Sequence, residues 1–150
     1  MTDNCIVKIY NASANPLPAF QSAGAAGVDL YADLEKPVEL KPHQVYAIPT
    51  GLYIELPIGY EAQIRARSGL ALKHGITLVN GIGTIDSDYR GEIKIIMMNL
   101  IDEPFVICPG DRVAQMVIAK TILPEFVQVE NLAALASTER GAGGFGHSGR

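Results

Sequence analysis

The chain has 150 residues, 48% of them hydrophobic, and a net charge of −4, which fits one soluble domain with a real core. No apolar run approaches the roughly 20 residues that a bilayer requires, and the N-terminus lacks the basic start and apolar stretch of a signal peptide. We therefore expect a cytoplasmic location, and the acidic charge argues against nonspecific binding of nucleic acid. Cys5 and Cys108 lie in apolar runs and are predicted to be buried thiols of a reducing compartment.

Short segments rich in β-forming residues dominate the chain, and Gly and Pro separate them. In chain order, the predicted strands are Cys5–Tyr10, Val28–Ala32, Gln44–Pro49, Gly51–Leu56, Tyr60–Ala66, Ile76–Val79, Glu92–Leu100, Phe105–Cys108, Arg112–Lys120 and Phe126–Glu130. A helix is predicted from Ser68 to His74, with Ser68 as its N-cap. This spacing of about ten short strands predicts a single all-β domain, a barrel or jelly roll.

The end of the fifth predicted strand carries two arginines. Because strand side chains alternate between faces, Arg65 and Arg67 are predicted to emerge on one polar face, just before the helix that Ser68 opens. Arginine beside a helix N-terminus suits phosphate oxygens. An ordinary solvated face is the alternative interpretation.

The acidic segment Asn80–Glu92 is the densest functional candidate. Its Asn-Gly start, Arg-Gly near the end and β-branched residues between them predict a tight hairpin, whose exposed backbone could read a base. Asp86 and Asp88 could serve a metal or a water, or could simply be turn residues.

The C-terminal segment from residue 138 to residue 150 is rich in glycine and is predicted to be a flexible lid over a bound ligand. Gly141, Gly143 and Gly146 match a dinucleotide-binding fingerprint, but we interpret the match as accidental, because the four residues that follow Gly146 are too few for the helix and the later acidic residue that the motif requires. Phe145 has a ring that could stack on a base, and simple terminal disorder is the alternative. The arginines, the carboxylates and this tail together fit Mg²⁺-assisted hydrolysis of a nucleotide, without identifying the base or the bond.

Five ordered segments resemble the trimeric dUTPase family over almost the whole chain. They are Ala26–Ala32, Arg67–Ala71, Asn80–Glu92, Gly110–Gln115 and the glycine-rich tail. The resemblance implies a distorted jelly-roll-like β-barrel with one short helix, assembled as a homotrimer whose three active sites are shared between subunits. It also implies hydrolysis of dUTP to dUMP and pyrophosphate by water attack on the α-phosphorus, with Mg²⁺ as cofactor.

The resemblance implies a role for each matching residue. Asp86 would be the general base, and Asp29 would act through water on Mg²⁺. Uracil and deoxyribose would be held by Asn80, Gly83, Thr84, Ile85, Tyr89 and Lys94, with Tyr89 excluding a 2′-hydroxyl. The phosphates would be bound by Arg67, Ser68, Gly69 and Gln115. The tail would close on the substrate through Arg140, Phe145, Gly146 and Ser148.

Two departures from the family pattern leave these roles in place. Ala66 stands where the family usually has proline, and His147-Ser148 replaces the commoner Ser-Thr pair. Three other functions remain alternatives: a dCTP deaminase on the same fold, a module that senses dUTP without cutting it, and a purely structural β-barrel protein.

Overall fold

The computed structural model describes residues 5–144 of the chain. In that range the backbone forms eleven strands, which are β1 (Lys8–Asn11), β2 (Val28–Tyr31), β3 (Val38–Leu40), β4 (Val45–Pro49), β5 (Leu52–Glu55), β6 (Tyr60–Arg65), β7 (Ile76–Leu78), β8 (Gly83–Ile85), β9 (Lys94–Asn99), β10 (Phe105–Ile107) and β11 (Arg112–Lys120). One α-helix, α1 (Ser68–His74), and one turn of 3-10 helix (Leu132–Ala134) complete it. The predicted all-β class with one short helix is confirmed. Neither of these helices is long and apolar enough to cross a membrane.

The strands form four antiparallel sheets. The largest has the order β2-β11-β6-β8, and a second has the order β4-β9-β7. Two further pairs, β1 with β5 and β10 with β3, complete the set. Strands from distant parts of the chain lie side by side, as a jelly roll requires. Within residues 5–144 the ladders do not close into one continuous barrel.

The core follows from the alternation of side chains along the strands. In β9, Ile95 and Met97 are fully buried while Lys94 is exposed. In β6, Ala62 and Ile64 are buried while Arg65 is exposed, which confirms the predicted alternation. Because one face of each sheet is apolar, the sheets pack against each other through a single hydrophobic cluster.

Three predicted features of the secondary structure are wrong. Phe126–Glu130 is not a strand but an exposed segment without regular secondary structure, because β propensity alone forms no strand without a neighbour to pair with. β3 and β8 were not predicted, because β3 lies between Pro37 and Pro42 and β8 begins at a glycine, and these residue types indicate turns. Arg67, not Ser68, is the N-cap of α1, and it makes no side-chain capping hydrogen bond.

The prediction of buried thiols is also wrong. Cys108 is exposed and Cys5 is only half-buried, and both are free thiols. Cys108 directly follows β10, where the chain leaves the sheet for a turn at Pro109 and Gly110. Of this apolar run only Ile107 is fully buried, and the thiol that follows it is exposed to solvent.

Asn99 joins three parts of the backbone in the core. Its side chain is fully buried, donates to the carbonyls of Leu40 (3.1 Å) and Glu103 (2.7 Å), and accepts from the N–H of Ile101 (3.1 Å). We expect Asn99→Ala to lower the free energy of unfolding by about 3 kcal/mol, because these backbone groups lose their partners. Urea denaturation measures the change, with the exposed Asn131→Ala as control. Equal stability of the two variants would contradict the prediction.

Candidate active site

A cleft of about 660 Å³ opens between the two larger sheets. Its walls come from β6 and β8 on one side and from β4, β7 and β9 on the other. It contains all six residues that the resemblance assigns to the nucleoside, namely Asn80, Gly83, Thr84, Ile85, Tyr89 and Lys94. Polar groups thus converge on a concave and partly apolar surface, as in typical small-molecule sites.

The segment Asn80–Glu92 builds this cleft by crossing from one sheet to the other. Gly81, at a φ of 69°, allows a turn in which its N–H donates to the carbonyl of Leu78 (3.1 Å). After the turn β8 pairs with β6, whereas β7 pairs with β9. The predicted hairpin is therefore wrong, because the strands flanking the turn lie in different sheets. β8 is instead an edge strand.

Tyr89 and Glu92 lie together on the cleft wall. The Tyr89 hydroxyl donates to the backbone carbonyl of Glu92 (3.1 Å). One carboxylate oxygen of Glu92 accepts from the N–H of Gly51 (3.0 Å), and the other lies 3.6 Å from Nζ of Lys94. Sequence reasoning assigned no role to Glu92. The sequence did contain a signal for it, because Glu92 lies two residues before Lys94, and this spacing places opposite charges on one face of an extended segment.

The phosphate-binding candidates gather at a second place. Asp29 bridges two arginines: its Oδ1 lies 3.0 Å from Nε of Arg67 and its Oδ2 lies 3.3 Å from Nη1 of Arg112. Arg67 also donates from Nη1 to the carbonyl of Arg112 (2.9 Å). The Asp29 side chain is only 15% exposed, so its charge is largely shielded from water and needs these partners. Arg112 belongs to the fourth segment, but sequence reasoning gave it no role.

Gln115 completes this second group. Its Nε2 donates to the carbonyl of Ala66 (3.0 Å), directly before Arg67, and the exposed Ser68 and Gly69 follow. The small cavity that Arg67 and Arg112 line shares no residue with the nucleoside cleft. Within one chain, the residues that the resemblance assigns to the nucleoside and those that it assigns to the phosphates therefore form two separate clusters.

Asp86 faces a third surface. It is exposed and lines a concavity with Gly59, Ile122 and Leu123, outside the set of residues that line the nucleoside cleft. Its backbone carbonyl accepts from the N–H of Tyr89 (3.1 Å), which forms a turn. Asp86 therefore lines a different concavity from the residues that the resemblance assigns to the nucleoside.

Only the start of the predicted lid lies in the described range. Arg140 donates from Nε to the carbonyl of Gly143 (2.7 Å), and Gly141 donates to the hydroxyl of Thr138 (3.1 Å). Residues 138–142 are exposed. Phe145, Gly146 and Ser148 lie outside the described residues.

Comparison with known proteins identifies the family. The sequence model of the dUTPase family matches residues 13–149. The chain belongs to the dUTPase family. The predicted resemblance and the predicted enzyme class are thereby confirmed, and the fold agrees with both.

Similar proteins have the same extent as this dUTPase-family chain. The deoxyuridine 5′-triphosphate nucleotidohydrolase of Finegoldia magna is 54% identical over 143 residues, which cover 95% of this chain and 98% of the relative. That of Cytophaga hutchinsonii is 55% identical over 144 residues, covering 96% and 92%. The dUTPase of Staphylococcus bacteriophage 80alpha, solved with dUPNHPP, is 25% identical, with a TM-score of 0.82 over 97% of this chain and 99% of the phage protein.

Proposed function

We propose that the chain hydrolyses dUTP to dUMP and pyrophosphate by water attack on the α-phosphorus, so that it limits dUTP and supplies dUMP for thymidylate synthesis. The observation that carries the proposal is the cleft, which gathers all six nucleoside residues in a chain of the dUTPase family. The test is incubation with Mg²⁺ and dUTP, dTTP, dCTP or UTP separately, measuring pyrophosphate. We expect release from dUTP only. Ammonia from dCTP, or binding of dUTP without release, would refute the proposal.

The edge strand β8 explains recognition of the base. An edge strand has backbone N–H and C=O groups without a partner strand, and Gly83, Thr84 and Ile85 present this backbone at the cleft. Uracil pairs with such groups, while a base with the wrong donors leaves them buried and unpaired at about 1–3 kcal/mol each. Lys94 on the opposite wall and Asn80 help to hold the nucleoside.

The arginine cluster explains binding of the triphosphate. Hydroxide attack on a phosphorus surrounded by anionic oxygens requires nearby cations and oriented donors. Asp29 holds Arg67 and Arg112 in fixed orientations before any substrate arrives, which lowers the entropy lost on binding. Ser68, Gly69 and Gln115 add donors beside them.

The donor set fits a magnesium ion that the triphosphate brings with it. Residues 5–144 contain no group of three or more His, Cys, Asp or Glu side chains placed to hold a metal. Mg²⁺ commonly keeps several waters and binds substrate phosphates with one or two carboxylates. Asp29 retains lone pairs beyond those facing the two arginines, so it would be able to accept a hydrogen bond from water bound to the ion. When bound, the ion offsets phosphate charge.

The separation of the three clusters supports a homotrimer with shared active sites. Asp86 of one subunit would act as general base at phosphates held by another. The segment from residue 121 to residue 135 supplies an apolar surface for assembly, since Ile122, Leu123, Phe126 and Leu132 are each more than three-quarters exposed. Such a series of exposed large apolar residues is typical of an interface.

We expect light scattering to give the mass of three chains. Phe126→Asp should weaken assembly and activity together, because it places a charge in an apolar interface. The exposed Glu125→Gln is the matched control. A monomer with full activity would contradict the trimer proposal.

We also propose a cytoplasmic location. The support is that Cys5 and Cys108 are free thiols instead of a disulfide, as is usual in a reducing compartment. Fractionation of cells expressing the protein tests this.

A further inference from the structure

The Tyr89 ring lies directly against the backbone of Gly91. A Cβ built on Gly91 would come within 2.9 Å of Cε2 of Tyr89, and closer still to its Cζ and its hydroxyl oxygen. Real Cβ atoms do not approach other atoms so closely, so the ring occupies the space of any side chain at this position. Gly91 is not among the described glycines with positive φ. The need for glycine therefore comes from the ring and not from the backbone conformation.

A second contact fixes the other end of the ring. The Tyr89 hydroxyl donates to the carbonyl of Glu92 (3.1 Å), and Glu92 is itself tied to the N–H of Gly51 (3.0 Å). The ring therefore lies back along its own chain, and its hydroxyl is bonded to the residue that directly follows Gly91. It is still 43% exposed and lines the nucleoside cleft. The exposed face of the Tyr89 ring is therefore available to a ligand in the cleft.

We propose that Gly91 is a specificity-determining residue that acts through Tyr89, because the absent side chain lets the ring lie where it excludes a 2′-hydroxyl. This inference rests on the proposed function, in which Tyr89 packs against deoxyribose. A methyl group at position 91 meets the far end of a side chain that can rotate, so the ring moves more readily than the backbone. The displaced ring leaves room beside the sugar, and ribonucleotides enter.

The test compares dUTP and UTP in Gly91→Ala. We expect the ratio of kcat/KM for dUTP to that for UTP to fall at least about tenfold, which corresponds to about 1.4 kcal/mol. The matched control is Gly24→Ala, because a Cβ at Gly24 meets nothing within 4 Å and its φ is not positive. A folded Gly91→Ala with the wild-type ratio overturns the inference.

A double-variant cycle with Tyr89→Ala tests whether Gly91 acts through the ring. If it does, Gly91→Ala produces no further change in the ratio once the ring is removed. The same set of variants also tests whether the ring causes any loss of thermal stability. Should Gly91→Ala fold poorly, the double variant must recover the thermal stability of Tyr89→Ala, and failure to recover overturns the inference. Absence of pyrophosphate from dUTP with the unaltered chain would instead refute the proposed function.

Discussion

Replacing Asp86 by Asn is expected to lower kcat for dUTP by about 10²–10⁴-fold, the usual contribution of a general base. The amide has the size of the carboxylate but cannot accept a proton from water. The backbone carbonyl of Asp86, which accepts from the N–H of Tyr89, is unchanged, so the turn is retained. KM should remain near the wild-type value, because the side chain does not line the nucleoside cleft.

Pyrophosphate release at saturating dUTP measures this effect, and equilibrium binding of an unreactive analogue measures affinity. Asp88→Asn is the matched control, because Asp88 is also exposed and lines the same concavity. It should retain most of kcat. A near-normal kcat in Asp86→Asn, or an equal loss in Asp88→Asn, would remove Asp86 as the base.

Elements with strong local signals were predictable from the sequence. α1 and β11 have the predicted bounds, because a seven-residue helix ended by Gly75 and a nine-residue β-rich run are both distinctive. The prediction of a strand at Phe126–Glu130 was wrong, although the composition of this segment is typical of a strand. Local propensity was satisfied there, but no neighbouring strand pairs with the segment within residues 5–144.

The two arginines show the limit of periodicity in predicting the site. Arg65 bonds to Gln63, two residues earlier on the same strand, with a distance of 3.2 Å from Nε to Oε1. Arg67 instead reaches Asp29, which alternation along β6 could not reveal. Asp29 and Arg112 are separated by 83 positions in the sequence. Only the pairing of β11 with β2 brings these two residues together.

The six residues of the cleft were grouped together only by the family resemblance, and not by any pattern in the residues themselves. Composition predicted a hairpin over Asn80–Glu92, whereas the strands around Gly81 belong to two sheets. The roles that the resemblance implies assigned the same six residues to one ligand, the nucleoside. Glu92 was missed because its partner, the N–H of Gly51, lies on a distant loop.

Removing residues 140–150 is expected to lower kcat/KM for dUTP on the order of 10²-fold or more while leaving the fold intact. The stability prediction follows from the contacts of the segment. Among described residues, the hydrogen bonds of Arg140 and Gly141 go only to Gly143 and Thr138, within the same turn. No hydrogen bond from residues 140–144 to the sheets is lost, so we expect the urea midpoint to stay unchanged.

The loss of activity has a different origin. In the proposed closure, the tail would exclude water and bring cations and a ring to the bound nucleotide. Phe145→Ala keeps the length of the tail and removes only the ring, so this variant should lose part of the activity. Gly144→Ala is the matched control and should lose little activity, because a Cβ at this position meets nothing within 4 Å. Steady-state kinetics with dUTP ranks the variants. Normal turnover by the truncated chain would mean that closure does not involve the tail, and the roles assigned to Arg140, Phe145, Gly146 and Ser148 would then be abandoned.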